Sequence, residues 1–326
     1  MATNSLEFRP LGSAKPKNGI VYAFSMAFLR HHVSRVFGVY FKIRVFNAIQ
    51  LPVFRMKPFI RWAGSKRSLL TQLRSYWPAN GHRYVEPFCG SACLFFDLQP
   101  GSAVLGDLNE ELLCAFRAIQ SDPYIVLECV RRLPRGKSGY YSVRAMRPSS
   151  LATAERAARF LYLNRYCFNG IYRTNLAGDF NVPYGPPRSG RPPDEAIIVS
   201  ASEALRRAVL VHGDFEKTLE HVQPDDFVYL DPPYYMESRR VFREYGPGAF
   251  ALSDLKRLRA QLTRLDDIKA MFVVSYADCA EARELLRPWS PRRVPTRRHI
   301  AGFSGHRRTA YELIACNRSD IPGVNL

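Results

Sequence analysis

The residues best suited to chemistry are Asp231-Pro232-Pro233-Tyr234, which directly follow the apolar run Phe227-Val228-Tyr229-Leu230. An unbroken apolar run of this length reads as a short strand buried on both faces. The prolines end it, because they fix φ and have no N–H to give to a ladder. A carboxylate at the end of such a strand stands where open α/β sheets hold their ligands. The Asp231 carboxylate and the Pro232 carbonyl make a rigid pair of acceptors beside an aromatic ring. That pair suits a flat base with an exocyclic amine: the acceptors take the amino hydrogens, Tyr234 stacks on the ring, and the nitrogen lone pair turns towards an electrophile. The plain alternative is a proline turn closing a strand.

Two upstream runs have the character of a binding site. Tyr84-Val85-Glu86-Pro87-Phe88-Cys89-Gly90-Ser91-Ala92 is a strand entering a small-residue turn, which lets backbone approach a nucleoside cofactor. Asp107 follows the next strand, where a carboxylate grips ribose hydroxyls or, equally, caps a helix in competition with Asn109. Phe59-Ile60-Arg61-Trp62-Ala63-Gly64-Ser65-Lys66 gathers an aromatic, a small-residue turn and two cations. A buried Trp beside a solvated Lys is its plain reading.

Elements of α/β type must position these runs. Short strands are expected at 83–86, 103–106, 208–212, 227–230, 271–275 and 309–316, and helices at 110–119 behind the cap Asn109, 152–163, 253–265 and 280–286. Their alternation predicts a parallel sheet with both faces covered. Between about 121 and 200 the pattern changes to a helix followed by a Gly/Asn/Pro-rich stretch, 164–193, which reads as an inserted domain.

Composition limits the function classes. Over 326 residues, 47 Lys and Arg face 29 Asp and Glu, a net charge of +18 that favours a polyanionic partner, with nucleic acid foremost. Eight of these cations and a single acid, Glu7, fall in residues 1–56, which read as a basic extension or an over-long start with Met56 the natural first residue. The seven cysteines include no C-x-x-C pair and no zinc spacing, so no metal is expected. No apolar run reaches membrane length, and free thiols suit a reducing, cytoplasmic setting.

Together the runs resemble the DNA adenine N6-methyltransferase family of the Dam type, in the order cofactor loop, recognition insertion, Asp-Pro-Pro-Tyr. The most specific stretch is Phe160-Leu161-Tyr162-Leu163-Asn164-Arg165-Tyr166-Cys167-Phe168-Asn169-Gly170, continuing through Arg173, Asn175, Gly178 and Phe180-Asn181-Val182-Pro183. The resemblance implies a Rossmann-like S-adenosylmethionine-dependent methyltransferase sheet with an inserted, mainly helical DNA-recognition domain. Its expected bounds are 1–56 for the extension, 57–120 for the cofactor part, 121–200 for target recognition, 201–318 for the catalytic part and 319–326 for a tail.

The resemblance also implies roles. Trp62, Lys66, Phe88, Gly90, Asp107 and Asp231 match positions that bind S-adenosylmethionine, and Asp231, Pro232, Pro233 and Tyr234 match the catalytic motif. Arg61, Phe168, Asn169, Arg173 and Pro183 match positions that engage double-stranded DNA; Arg173 and Arg61 correspond to guanine contacts and Phe168 to a wedge in the base stack. The expected activity is site-specific methylation of adenine N6, with GATC the candidate site. Methylation of cytosine N4 and a DNA-binding protein with impaired turnover are the alternatives. Ser65 and Ala92 stand where the family usually has glycine, Ser275-Tyr276-Ala277-Asp278 matches a later family motif loosely, and Pro186 replaces a cation near Arg188 and Arg191.

Overall fold

The computed structural model describes residues 55–79, 82–175, 177–185, 193–235, 250–297 and 309–318, all within the compact unit Val53–Leu326. Residues 1–54 of the basic extension, Pro186, Arg188, Arg191 and the tail lie outside the described residues.

Seven strands form one sheet: β1 (Tyr84–Glu86), β2 (Ala103–Asp107), β3 (Ala208–His212), β4 (Phe227–Leu230), β5 (Met271–Ala277), β6 (Arg292–Arg297) and β7 (Thr309–Cys316). Their order is β3-β2-β1-β4-β5-β7-β6. The chain moves outward from β1 to β3, then returns to lay β4 against the other side of β1, with Tyr84 opposite Phe227 and Val85 opposite Val228. This reversal opens a crevice at the carboxyl ends of β1 and β4.

The expectation of a parallel sheet is corrected at one edge. β1 to β5 pair in parallel, whereas β7 runs antiparallel to both β5 and β6. β6 was not legible as a strand because it carries Pro295 and three arginines, features that suit its place at the sheet edge, where one side needs no ladder and charge discourages pairing with another chain. In β4, Phe227 and Tyr229 point into one core and Val228 and Leu230 into the other, so the whole run is buried.

Ten α-helices surround the sheet among the described residues. α1 (Leu70–Arg74) and α2 (Cys93–Leu98) flank β1; α3 (Glu110–Ser121), α4 (Pro123–Arg132), α5 (Gly136–Ala145), α6 (Thr153–Tyr166) and α7 (Glu195–Leu205) lie between β2 and β3. α8 (Phe215–Leu219), α9 (Leu252–Asp267) and α10 (Ala280–Leu286) complete the set. Asn109 caps α3 by accepting from Leu112 N at 2.9 Å, and Asp122 caps α4 with Pro123 in its first turn. A separate small core of Tyr140, Val143, Tyr162, Leu163, Cys167, Phe180 and Val182 joins α5 and α6 to the hairpin that follows them.

Candidate active site and nucleic-acid interface

β4 delivers Asp231 into the crevice. Asp231 Oδ1 lies 2.6 Å from Lys66 Nζ and accepts from Ser275 Oγ at 3.3 Å, while Ser275 Oγ also meets Tyr229 OH at 2.8 Å. Two strands and the loop after Trp62 therefore fix one carboxylate oxygen. The plain reading of Lys66 as a solvated cation is overturned: it is 4 % exposed. Burial works to lower its pKa, but Asp231, Tyr234 and Glu312, with the hydrogen bond to Asp231, more than offset this and hold the ammonium above its usual value. The Tyr234 ring lies 5.1 Å from Lys66 Nζ and 5.0 Å from the Tyr276 ring. Tyr276 OH donates to the Pro233 carbonyl at 3.3 Å and accepts from Tyr235 N at 2.6 Å, bracing the segment from both sides.

β1 delivers the small-residue turn. Gly90 has φ +46°, and a Cβ there would lie 2.7 Å from Trp62 Cδ1, so glycine is what allows the turn and the indole to meet. Gly90 N and Asn109 N donate to the two oxygens of Asp107 at 2.8 and 2.9 Å. Asn109 is thus the helix cap and Asp107 a half-buried residue at a strand end. Burial raises the Asp107 pKa, opposed by those backbone donors. Phe88 stacks on Phe215 with ring centres 5.2 Å apart.

The two glycine replacements have different outcomes. Ala92 is buried at φ +48°, a left-handed conformation that costs a non-glycine residue about 1–2 kcal/mol. Ser65 is not among the positive-φ residues, and its hydroxyl accepts from Ser91 Oγ at 3.3 Å. Its side chain needs no strained backbone.

The third group is the hairpin after α6. Phe168 N donates to the Pro183 carbonyl at 2.9 Å, Cys167 pairs with Tyr184, and Thr174 with Phe180. Phe168 is 42 % exposed, and Asn169 takes φ +55° beside it. Arg173 Nε donates to Asn181 Oδ1 at 2.8 Å, which orients its guanidinium from one side. Gly170 packs directly on Arg61, where a Cβ would come within 2.7 Å of Arg61 Cδ. Asn164 clamps the Arg61 backbone in both directions, accepting from its N at 2.9 Å and donating to its O at 2.7 Å. Trp62 stacks on Tyr172, 5.7 Å between ring centres, and so touches both the turn at Gly90 and the hairpin.

Residues 62–300 match the model of the D12 class N6 adenine-specific DNA methyltransferases. The chain belongs to that family. It is 33 % identical over 280 residues to the Type II methyltransferase M1.LlaDCHI of Lactococcus lactis subsp. cremoris, covering 83 % of this chain and 99 % of the relative. It is 30 % identical over 265 residues to the Retron Ec67 DNA adenine methylase of Escherichia coli, covering 81 % and 91 %. It is 28 % identical over 271 residues to a DNA adenine methylase of Haemophilus influenzae, covering 81 % and 94 %. The seven-stranded sheet is consistent with the methyltransferase fold of the D12 class, whose substrate is DNA and whose chemistry requires a methyl donor.

At the crevice, Glu86, Tyr229 and Ser275 lie in the quoted runs with no role assigned to them, and Glu312 carried no motif signal. Glu86 is buried at the end of β1, accepting from Tyr84 OH at 2.9 Å. Burial pushes its carboxyl well above the usual range; the Tyr84 hydrogen bond opposes this, and nearby Asp231 and Asp107 add to it. Ser275, Tyr229 and Glu312 also line the Asp231 site. The available signal was an ionisable residue inside an apolar strand, as in Tyr84-Val85-Glu86 and Glu312-Leu313-Ile314. Among the described residues no group of side chains could hold a metal ion, and no helix is long and apolar enough to cross a membrane.

Proposed function

We propose that the protein transfers a methyl group from S-adenosylmethionine to N6 of adenine in double-stranded DNA, with GATC as the candidate site. The observation that carries this reading is the fixed Asp231 carboxylate, held through Oδ1 by Lys66 and Ser275 at the start of Asp231-Pro232-Pro233-Tyr234. Asp231 and the Pro232 carbonyl accept the amino hydrogens of the base, which localises the lone pair on N6, and Tyr234 stacks on the ring. Positioning and electrostatics supply the catalysis. An adenine within a duplex cannot reach these groups, so the base is flipped out, at a cost of a few kcal/mol.

The residues around Gly90 fit the donor. Backbone lines the turn because a Cβ at Gly90 would strike Trp62, and Asp107, half-buried at the end of β2, offers a carboxylate for ribose hydroxyls. Trp62, Lys66, Phe88, Gly90, Asp107 and Asp231 would hold it; when bound it supplies an electrophilic methyl group. On the DNA side, Arg173 and Arg61 offer forked donors for guanine O6 and N7, the exposed Phe168 fills the gap left by the flipped base, and Asn169 and Pro183 shape the hairpin. Two duplexes test the reading: one with a single GATC site, and the same duplex already N6-methylated there on both strands. Label from S-adenosylmethionine should enter the first and not the second; equal labelling of both would refute N6 of the GATC adenine as the acceptor.

A further inference from the structure

Lys66 faces two carboxylates, the half-buried Asp231 and the buried Glu312. Besides Asp231 at 2.6 Å, Glu312 Oε2 lies 3.9 Å from its Nζ, and Glu312 is 5 % exposed. Glu312 comes from β7, opposite Ala277 of β5 and Val294 of β6, and lies outside the region matched to the family. Such a charge in an apolar strand needs partners, and the Lys66 ammonium is within reach.

We propose that Glu312 is a positioning residue for methyl transfer, sharing the Lys66 ammonium so that Asp231 keeps its strength as an acceptor. The proposal rests on the role assigned to Asp231 above. A carboxylate paired alone with an ammonium forms a neutral unit and attracts an amine hydrogen weakly. An ammonium shared between two ionised carboxylates neutralises Asp231 less than an exclusive pair would. The charge left on Asp231 matters when the N6 lone pair forms the new N–C bond: the sulfur keeps the electrons of the broken S–C bond, and positive charge grows on N6 until its proton leaves. In a site shielded from water a charge at this range is weakly screened. Lys66 thus fixes the direction of Asp231 Oδ1, and Glu312 limits how far Lys66 neutralises it.

The test compares Glu312→Gln, which keeps the shape and removes the charge, with Glu312→Asp, which keeps the charge and shortens the chain. Turnover on a GATC duplex, KM for DNA, calorimetric affinity for S-adenosylmethionine and Tm are measured for both and for the natural protein. Glu312→Gln should lose at least about tenfold in kcat with KM and cofactor affinity within about threefold, and Glu312→Asp should retain more kcat than Glu312→Gln. Unchanged kcat in Glu312→Gln, better kcat in Glu312→Gln than in Glu312→Asp, or losses that follow Tm in both would overturn the proposal. A natural protein that binds the cofactor yet leaves adenine unmethylated would instead sink the reading of Asp231 on which it stands.

Discussion

At the scale of single residues, the site is built on fixed carboxylates. Replacing Asp231 by Ala should lower methyl transfer by about a hundredfold or more, while affinity for DNA stays near the natural value, because the carboxylate acts on the flipped amine and not on the duplex. Turnover near normal, measured beside a DNA-binding titration, would remove the mechanism. Arg173 makes a different prediction. A bidentate guanine contact is worth about 1–3 kcal/mol of discrimination, so Arg173→Ala should relax the preference at one base pair, whereas loss of a phosphate contact weakens all sequences alike. An unchanged target motif would mean that the hairpin has been misread. Glu86 gives a pH signature. Its folded pKa is raised, so the native state holds the proton more tightly than the unfolded chain. Its contribution to stability is fullest below the unfolded value and declines as pH rises through the folded one. Glu86→Gln, which keeps the acceptor for Tyr84, should raise Tm at pH 8 relative to the natural protein and lose that advantage at pH 4. Thermal melts at the two pH values decide it.

At the scale of elements, the signals that could be read from sequence were local ones. The bounds of β3, β4, α10 and β7 coincide with the expected ones because apolar runs of that length, closed by turn residues, leave little choice. α7 was missed because Ile197-Ile198-Val199 is β-branched and reads as strand; packing against α3 makes it helical. α5 opens with Gly136-Lys137-Ser138-Gly139, poor in helix formers, and gains its stability from burying Tyr140 and Val143. The motifs named Asp231, Lys66, Trp62 and Gly90, but Ser275 meets Asp231 from 44 positions away and Glu312 reaches Lys66 from the last strand. No local pattern encodes such a meeting. The same is true of Asn164, 103 positions from Arg61. Asn164→Ala would remove two hydrogen bonds from the half-buried Arg61 backbone, a cost of about 1–3 kcal/mol. Urea unfolding should show that loss, and both cofactor affinity and site preference should weaken, since Arg61 and Trp62 are adjacent. Full stability in this variant would contradict the clamp.

At the scale of the whole molecule, the charge of +18 and the hairpin cations fit a long anion, and binding carried by phosphate contacts should weaken steeply with salt. Every residue assigned to the site follows Met56, whose side chain belongs to the core at 7 % exposure. A protein beginning at Met56 should therefore keep its turnover, and a folded but inactive one would show that residues before it take part. The central claim concerns the acceptor atom. Unmethylated genomic DNA, treated with the purified protein and S-adenosylmethionine and then read by methylation-aware sequencing, tests it most directly. The account predicts N6-methyladenine next to guanine, first of all in GATC. Methyl groups on cytosine N4, or adenine methylated in motifs without a neighbouring guanine, would contradict it.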